Sequence, residues 1–282
     1  MNRFKIGIMA DGLRLPLREG IVKAKQLGAE GIQLYATEGE MAPENLSKGK
    51  RKELLAFIKD QGLVISALCG DPGGHGFGVA EKNPRRIALS KAIIDLALDL
   101  ECNIVTTHIG VVPEKLDDPE RIIMGKACKE LGLYAASVGA HFAIETGPEP
   151  AKRLRGFLDS LECGKGMGVN LDPANLVMVI GEDPVESVSH LAPYIVHTHA
   201  KDGKMLQKPD PSVVYGLTSH GGLDMNDYFL EVPLGEGDVD FPAYLAALEK
   251  IGFSGFLTIE REVGINPEED IKKAVRFLQG LV

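Results

Sequence analysis

Four polar residues close short apolar runs in the second part of the chain: Glu145 in "HFAIETGP", Asp172 in "GVNLDPANL", His199 in "IVHTHAKD" and Glu260 in "GFLTIERE". Along a strand, residues i and i+2 share a face. Phe142 and Ile144 then point away from Glu145, Val169 and Leu171 away from Asp172, and Leu257 and Ile259 away from Glu260. Carboxylates gathered at one place repel one another and hold protons to higher pH unless a cation compensates. Two Glu, one Asp and one His form a mixed oxygen and nitrogen shell suited to one divalent ion: Mn²⁺, Co²⁺, Mg²⁺ or Zn²⁺. Taken singly, each has an ordinary role. Glu145 can open a loop, Asp172 can cap the segment after Pro173, and Glu260 can pair with Arg261. Their recurrence on successive strand-like runs favours one shared site. His197, one pleat deeper than His199, reads as a core histidine.

Around this set stand weaker candidates for substrate contact. His108 ends "IVTTH" and reads either as a support for the site or as a loop histidine bonded to backbone. Lys201 follows His199 and reads as a partner for a substrate oxygen or as a solvated loop charge. His75 lies in "DPGGHGFG", whose glycines permit positive φ and close approach at the mouth of a site. His220, in "TSHGG", is a weaker signal of the same kind.

The elements that must position these residues alternate along nearly the whole chain. Strand-like runs occupy 4–9, 31–35, 63–69, 103–108, 141–145, 168–172, 194–199 and 256–260. Segments such as "LSKAIIDLALDL" and "PAYLAALEKIG" between them carry apolar residues at helical spacing. Asn83, Asp118 and Asn266 each precede a proline at a helix start, with Glu269 at the capping-box position for Asn266. Gly28, Gly62, Gly132 and Gly252 mark helix ends. Eight strand–helix units predict one (β/α)8 TIM barrel spanning 1–282 as a single domain, with active residues at the C-terminal strand ends. A doubly wound sheet fits less well, because "MADGLRLP" is no dinucleotide loop. The connection after the seventh strand, about 200–238, is long enough to be a lid or binding loop.

Bulk properties narrow the partners. The chain is 44% hydrophobic and 25% charged with a formal net charge of −9, and it has no basic tract. That argues against nucleic acid, whose phosphates require clustered Lys and Arg. The scattered Cys69, Cys102, Cys128 and Cys163 form no CxxC pair and read as reduced thiols, so a cytoplasmic location is the expectation. No segment approaches the roughly 20 apolar residues of a membrane span, and the first residues run into a strand pattern with no secretory leader.

These features resemble the xylose isomerase-like barrels: sugar isomerases and epimerases such as the D-tagatose 3-epimerase group, inosose dehydratase, hydroxypyruvate isomerase and, more distantly, endonuclease IV. The resemblance covers essentially the full length. Its most specific pieces are "AIETGP", "NLDPANL", "HTHAKD", "VPLGEGDVDFPAYLAAL" and "LTIERE". It implies that Glu145, Asp172, His199 and Glu260 bind one divalent metal and that Glu145 and Glu260 also move protons, on opposite faces of the substrate in the epimerases. Asn175 stands where many relatives have a His that helps hold substrate or a second metal. "GEGDVDF" lacks the Asp-x-His pair of the nuclease, and the chain has no Trp to wall a sugar.

The expected chemistry is proton transfer beside a carbonyl in a small sugar or polyol-derived substrate. A divalent metal would chelate the carbonyl oxygen and the neighbouring hydroxyl, acidify the C–H between them and stabilise the enediolate. Isomerisation returns the proton to the adjacent carbon, and epimerisation returns it to the opposite face. Two alternatives stand beside this: an inosose-type dehydratase on the same metal site, and a carbohydrate-binding relative without turnover. "GGHGFG" is no phosphate loop, which favours a free sugar, polyol or small keto acid. Barrels of this kind often form homo-oligomers, and the sequence carries no decisive interface signal.

Overall fold

A computed structural model describes residues 4–219 and 221–282; His220 lies outside them. Eight parallel strands close a barrel: β1 (Lys5–Met9), β2 (Gly31–Tyr35), β3 (Val64–Cys69), β4 (Ile104–Thr107), β5 (His141–Glu145), β6 (Met167–Leu171), β7 (Ile195–Ala200) and β10 (Phe256–Ile259). Each predicted run is matched to within about a residue at either end, a normal scatter for strand ends. Between β7 and β10 lie two further strands, β8 (Asp202–Met205) and β9 (Phe229–Val232), paired antiparallel from Asp202↔Val232 to Met205↔Phe229. The predicted loop at 200–238 is therefore a two-stranded arm. "DGKM" and "FLEV" carry too little alternation to announce strands. Among the described residues, no helix is long and apolar enough to cross a membrane.

The outward faces of the strands form the core. Ile8, Ile32, Leu68, Val105, Phe142, Val169 and Leu257 are buried against the helices. The lumen is filled differently. Barrel interiors are commonly packed with branched apolar side chains, but here Gln33 donates to Thr106 Oγ1 at 3.1 Å and accepts from His197 Nε2 at 2.9 Å. Ser66 and Thr258 hydroxyls meet at 3.4 Å. The bonds cross the barrel and satisfy polar groups that burial would otherwise leave costly. His197 is thus the core histidine its position suggested, and burial pushes its pKa down to about 3.

Two local expectations are corrected. Asn83 begins its helix but does not cap it; a short turn, Ala80–Lys82, runs straight into the helix, and the amide donates to Phe77 O at 3.0 Å instead. Gly132 does not end a helix. It lies inside Pro119–Val138, which stops at Gly139 with φ 76°. A Cβ at Gly132 would sit 2.6 Å from Cys163 Sγ, so the glycine is a close-packing point. Asp118 and Asn266 do cap, accepting from Glu120 N at 2.9 Å and Glu269 N at 3.4 Å.

The arm is tied at its base by one side chain. Asp202 accepts backbone N–H groups from Gly203, Gly235 and Gly237 at 2.9 Å each and from Val239 at 3.2 Å. A Cβ at Gly237 would fall 2.0 Å from Asp202 Oδ1, which is why "GEGDVDF" needs a glycine there.

Candidate metal centre

The C-terminal ends of β5, β6, β7 and β10 deliver the four residues to one place. Glu145 is the last residue of β5, Asp172 follows β6, His199 is in β7, and Glu260 follows β10. Each offers a ligand atom within 4.8 Å of the others, and all four are buried. His199 Nδ1 lies 3.2 Å from Asp172 Oδ2, 3.3 Å from Glu260 Oε2 and 3.8 Å from Glu145 Oε2. Asp172 also fills its ordinary role, accepting Asn175 N at 2.8 Å through its other oxygen. Glu260 does not pair with Arg261, which is turned to Glu231 at 2.7 Å and Asp270 at 3.0 Å.

The donor chemistry fits a divalent cation. Three carboxylates share a buried space in which unpaired negative charge is expensive. Burial opposes charge on His199, but Glu260, Glu145 and Asp172 outweigh it and hold its pKa well above the usual range. The place draws positive charge. His199 Nε2 lies 3.2 Å from both Gln33 Oε1 and Asn170 Nδ2, and Nδ1 faces the carboxylates. Asn170 donates to Glu145 Oε2 at 2.9 Å and Asn175 to Glu145 Oε1 at 3.0 Å, fixing that carboxylate from two directions.

A cavity of about 400 Å³ opens over the set, and of the four only Glu145 and Glu260 line it. Burial pushes Glu145 up to about 7 against the pull of His108 and His199. Burial acts the same way on Glu260, but His199 and Lys201 outweigh it and hold Glu260 well below the carboxylate range. Two carboxyls facing one space therefore differ in their hold on a proton. A larger hollow of about 510 Å³, lined by Asp11, Leu15 and Met41 among others, adjoins the cavity at Tyr35 and contains none of the four.

The weaker candidates divide. His108 lines the cavity, with Nδ1 3.1 Å from Asp71 Oδ2 and Nε2 3.6 Å from Glu145 Oε1. Burial disfavours its charge, yet Glu145 and Asp71 prevail and hold its pKa at about 9. Asn175 also lines the cavity. Lys201 is no solvated loop charge: it is buried, and its Nζ donates to Glu260 Oε2 at 2.9 Å and to Glu262. His75 does not line the cavity. Its loop is docked on the segment after β4, Phe77 N donating to Ile109 O at 2.8 Å, and a Cβ at Gly76 would fall 1.9 Å from Ile109. Gly76 and Gly78 serve packing, whereas Gly73 takes φ 69° with nothing within 4 Å of a Cβ.

Sequence reading missed Gln33 and Asn170, each a single polar residue inside an apolar strand, and that break in the pattern was the available signal. It also missed Asp71, Glu231, Glu262 and Tyr215, which reach the cavity from loops and from the arm.

Residues 21–281 match the family model described as xylose isomerase-like TIM barrel. The chain belongs to that family. Among curated proteins, the rhizopine catabolism protein MocC of Rhizobium meliloti is 38% identical over 86 residues, 29% of this chain and only 24% of that protein's length. Among solved structures, a xylose isomerase domain protein from Planctomyces limnophilus is 28% identical, with 99% of this chain and 96% of that one covered at a TM-score of 0.79. A probable 3-DHS dehydratase, AsbF, involved in petrobactin synthesis in Bacillus anthracis, is 20% identical over 98% of this chain and 99% of its own, TM-score 0.75. A D-tagatose 3-epimerase-like protein is 20% identical over 99% and 97%, TM-score 0.73. The last two likenesses carry the fold alone.

Proposed function

We propose that this xylose isomerase-like barrel is a divalent-metal-dependent isomerase or epimerase of a small hydroxy-carbonyl compound. Glu145, Asp172, His199 and Glu260 hold the metal, and Glu145 and Glu260 move the protons. The observation that carries the reading is that the two glutamates alone of the four face the cavity. A divalent cation bound there supplies the positive charge that acidifies a C–H beside a carbonyl.

Glu260, kept ionised by His199 and Lys201, accepts the proton from carbon. The freed electron pair moves onto the carbonyl oxygen, giving an enediol anion, and for isomerisation the proton of the neighbouring hydroxyl passes to that oxygen. Glu145, which faces the same cavity, returns a proton to the neighbouring carbon or to the opposite face of the same carbon. Asn170 and Asn175 hold Glu145 in line, and His108, braced by Asp71, contacts the substrate's oxygens. Tyr215 from the arm lies tilted against His108, ring centroids 5.0 Å apart, and narrows access of water.

Solvent-deuterium exchange into a panel of ketoses, with Mn²⁺-loaded protein, tests this. Exchange that disappears in Glu145→Gln and Glu260→Gln supports the roles, and undiminished exchange in both variants removes them. His108 on the cavity wall, with its raised pKa, favours a second reading, in which the same anion expels a β-hydroxyl and His108 protonates the departing oxygen. A product lighter by one water distinguishes it.

A further inference from the structure

We infer that the cavity selects uncharged substrates and turns away phosphates and carboxylates, and that Glu262 sets this preference. The inference rests on the proton-transfer reading for what the cavity does, and on the ion pairs of its wall for what it admits. Asp71, Glu145, Glu231, Glu260 and Glu262 line it, against two basic groups, Lys201 and His108.

Each basic group already faces carboxylates. An ammonium has three N–H donors, and Lys201 directs them at Glu260 Oε2 (2.9 Å), at Glu262, and toward Glu231 Oε2 (3.8 Å). His108 stands between Asp71 and Glu145. Among the described residues no arginine lines the cavity. The nearest ones are engaged elsewhere, Arg261 by Glu231 and Asp270, Arg14 by the carbonyls of Glu262 and Gly264. An incoming anion meets no cation that lacks a carboxylate, and like charge brought against like charge in a closed space suppresses binding. A hydroxyl meets the reverse situation. It can donate to Asp71 or Glu262, and the hydroxyls of Tyr35 and Tyr215 can do either.

Glu262 is the member that can be changed without touching the buried four. Its side chain is 58% exposed at the rim, where Lys201 beneath it is 3% exposed. Removing its charge leaves Lys201 with one fewer carboxylate beside the cavity and leaves Glu260 in place.

The test is calorimetric binding of neutral ketohexoses and their phosphates to Mn²⁺-loaded wild type and Glu262→Gln. The expected result is a preference of at least about tenfold for the neutral sugars in the wild type, shrinking about tenfold in the variant. Three results would overturn the inference: phosphates bound as tightly as neutral sugars by the wild type, no binding of any neutral sugar, or an unchanged ratio in the variant. Deuterium exchange in the same samples reports separately on proton transfer. Preference without exchange leaves the inference standing and removes the proposed function; exchange without preference does the opposite.

Discussion

Strands β5, β6, β7 and β10 each end at a member of the buried four, whereas β1 to β4 end in Met9, Tyr35, Cys69 and Thr107. The second group of strands contributes polar atoms all the same. Gln33 in β2 holds both imidazoles, Thr106 in β4 holds Gln33, and Asp71 beyond β3 holds His108. One side of the barrel offers the ligand atoms and the other fixes their orientation. Charge concentrates where the ligand atoms are, and within the strands the bracing side uses a neutral amide and a hydroxyl, Gln33 and Thr106, the Asp71–His108 pair lying beyond the strand ends. A buried neutral acceptor can direct an imidazole without adding to the repulsion among carboxylates.

The largest effect belongs to the ligand-bearing side. Glu145→Gln and Glu260→Gln should each lower deuterium exchange by about a thousandfold while thermal unfolding stays cooperative. Retained exchange in both would dissolve the contrast between the two sides.

Burial of an acid does not by itself make it part of the site, and Glu149 sharpens that point. It lies four residues after Glu145, is buried, and accepts Val112 N at 2.8 Å. Burial pushes its pKa from 4.5 up to about 7. Its folded form therefore holds the proton longer than the unfolded chain does. The stability this adds is fully present below pH 4.5 and is lost as pH rises through about 7. Glu149→Gln has no such titration. Urea unfolding should show the variant gaining on the wild type across that window by at most about 3 kcal/mol, and metal binding should not change. Parallel stability curves would contradict the account of Glu149.

The smallest effect belongs to the bracing side. Gln33→Ala removes the acceptor that both histidines share and should weaken Mn²⁺ binding by about 10- to 100-fold, without abolishing it. A variant with wild-type affinity would show that β2 only packs the lumen.

The same contrast explains what could be read from the chain. The ligand-bearing strands repeat one pattern, an apolar run closed by a polar residue, so four independent occurrences reinforce each other. The bracing strands carry single polar residues, Gln33 in "GIQLY" and Thr106 in "NIVTTH", and one such residue is indistinguishable from local tolerance until its partner across the lumen is known. The eight barrel strands were legible because both their faces are buried or satisfied and several of the helices between them, such as Pro119–Val138 and Pro267–Gln279, start at Asx–Pro pairs. The arm at β8 and β9 was not, because its pairing joins residues separated by a long stretch rich in Gly and Pro. Asp202 illustrates the limit. Its four N–H partners lie on its own next residue and on a segment more than thirty residues away, and only the fold brings that segment to it.

The account stands most directly on one titration: Mn²⁺ added to chelator-stripped protein, followed calorimetrically for the wild type and His199→Ala. One saturable site in the wild type, strongly weakened in the variant, is the expected result. No saturable binding in the wild type, or identical binding in the two proteins, would return Glu145, Asp172, His199 and Glu260 to separate structural roles.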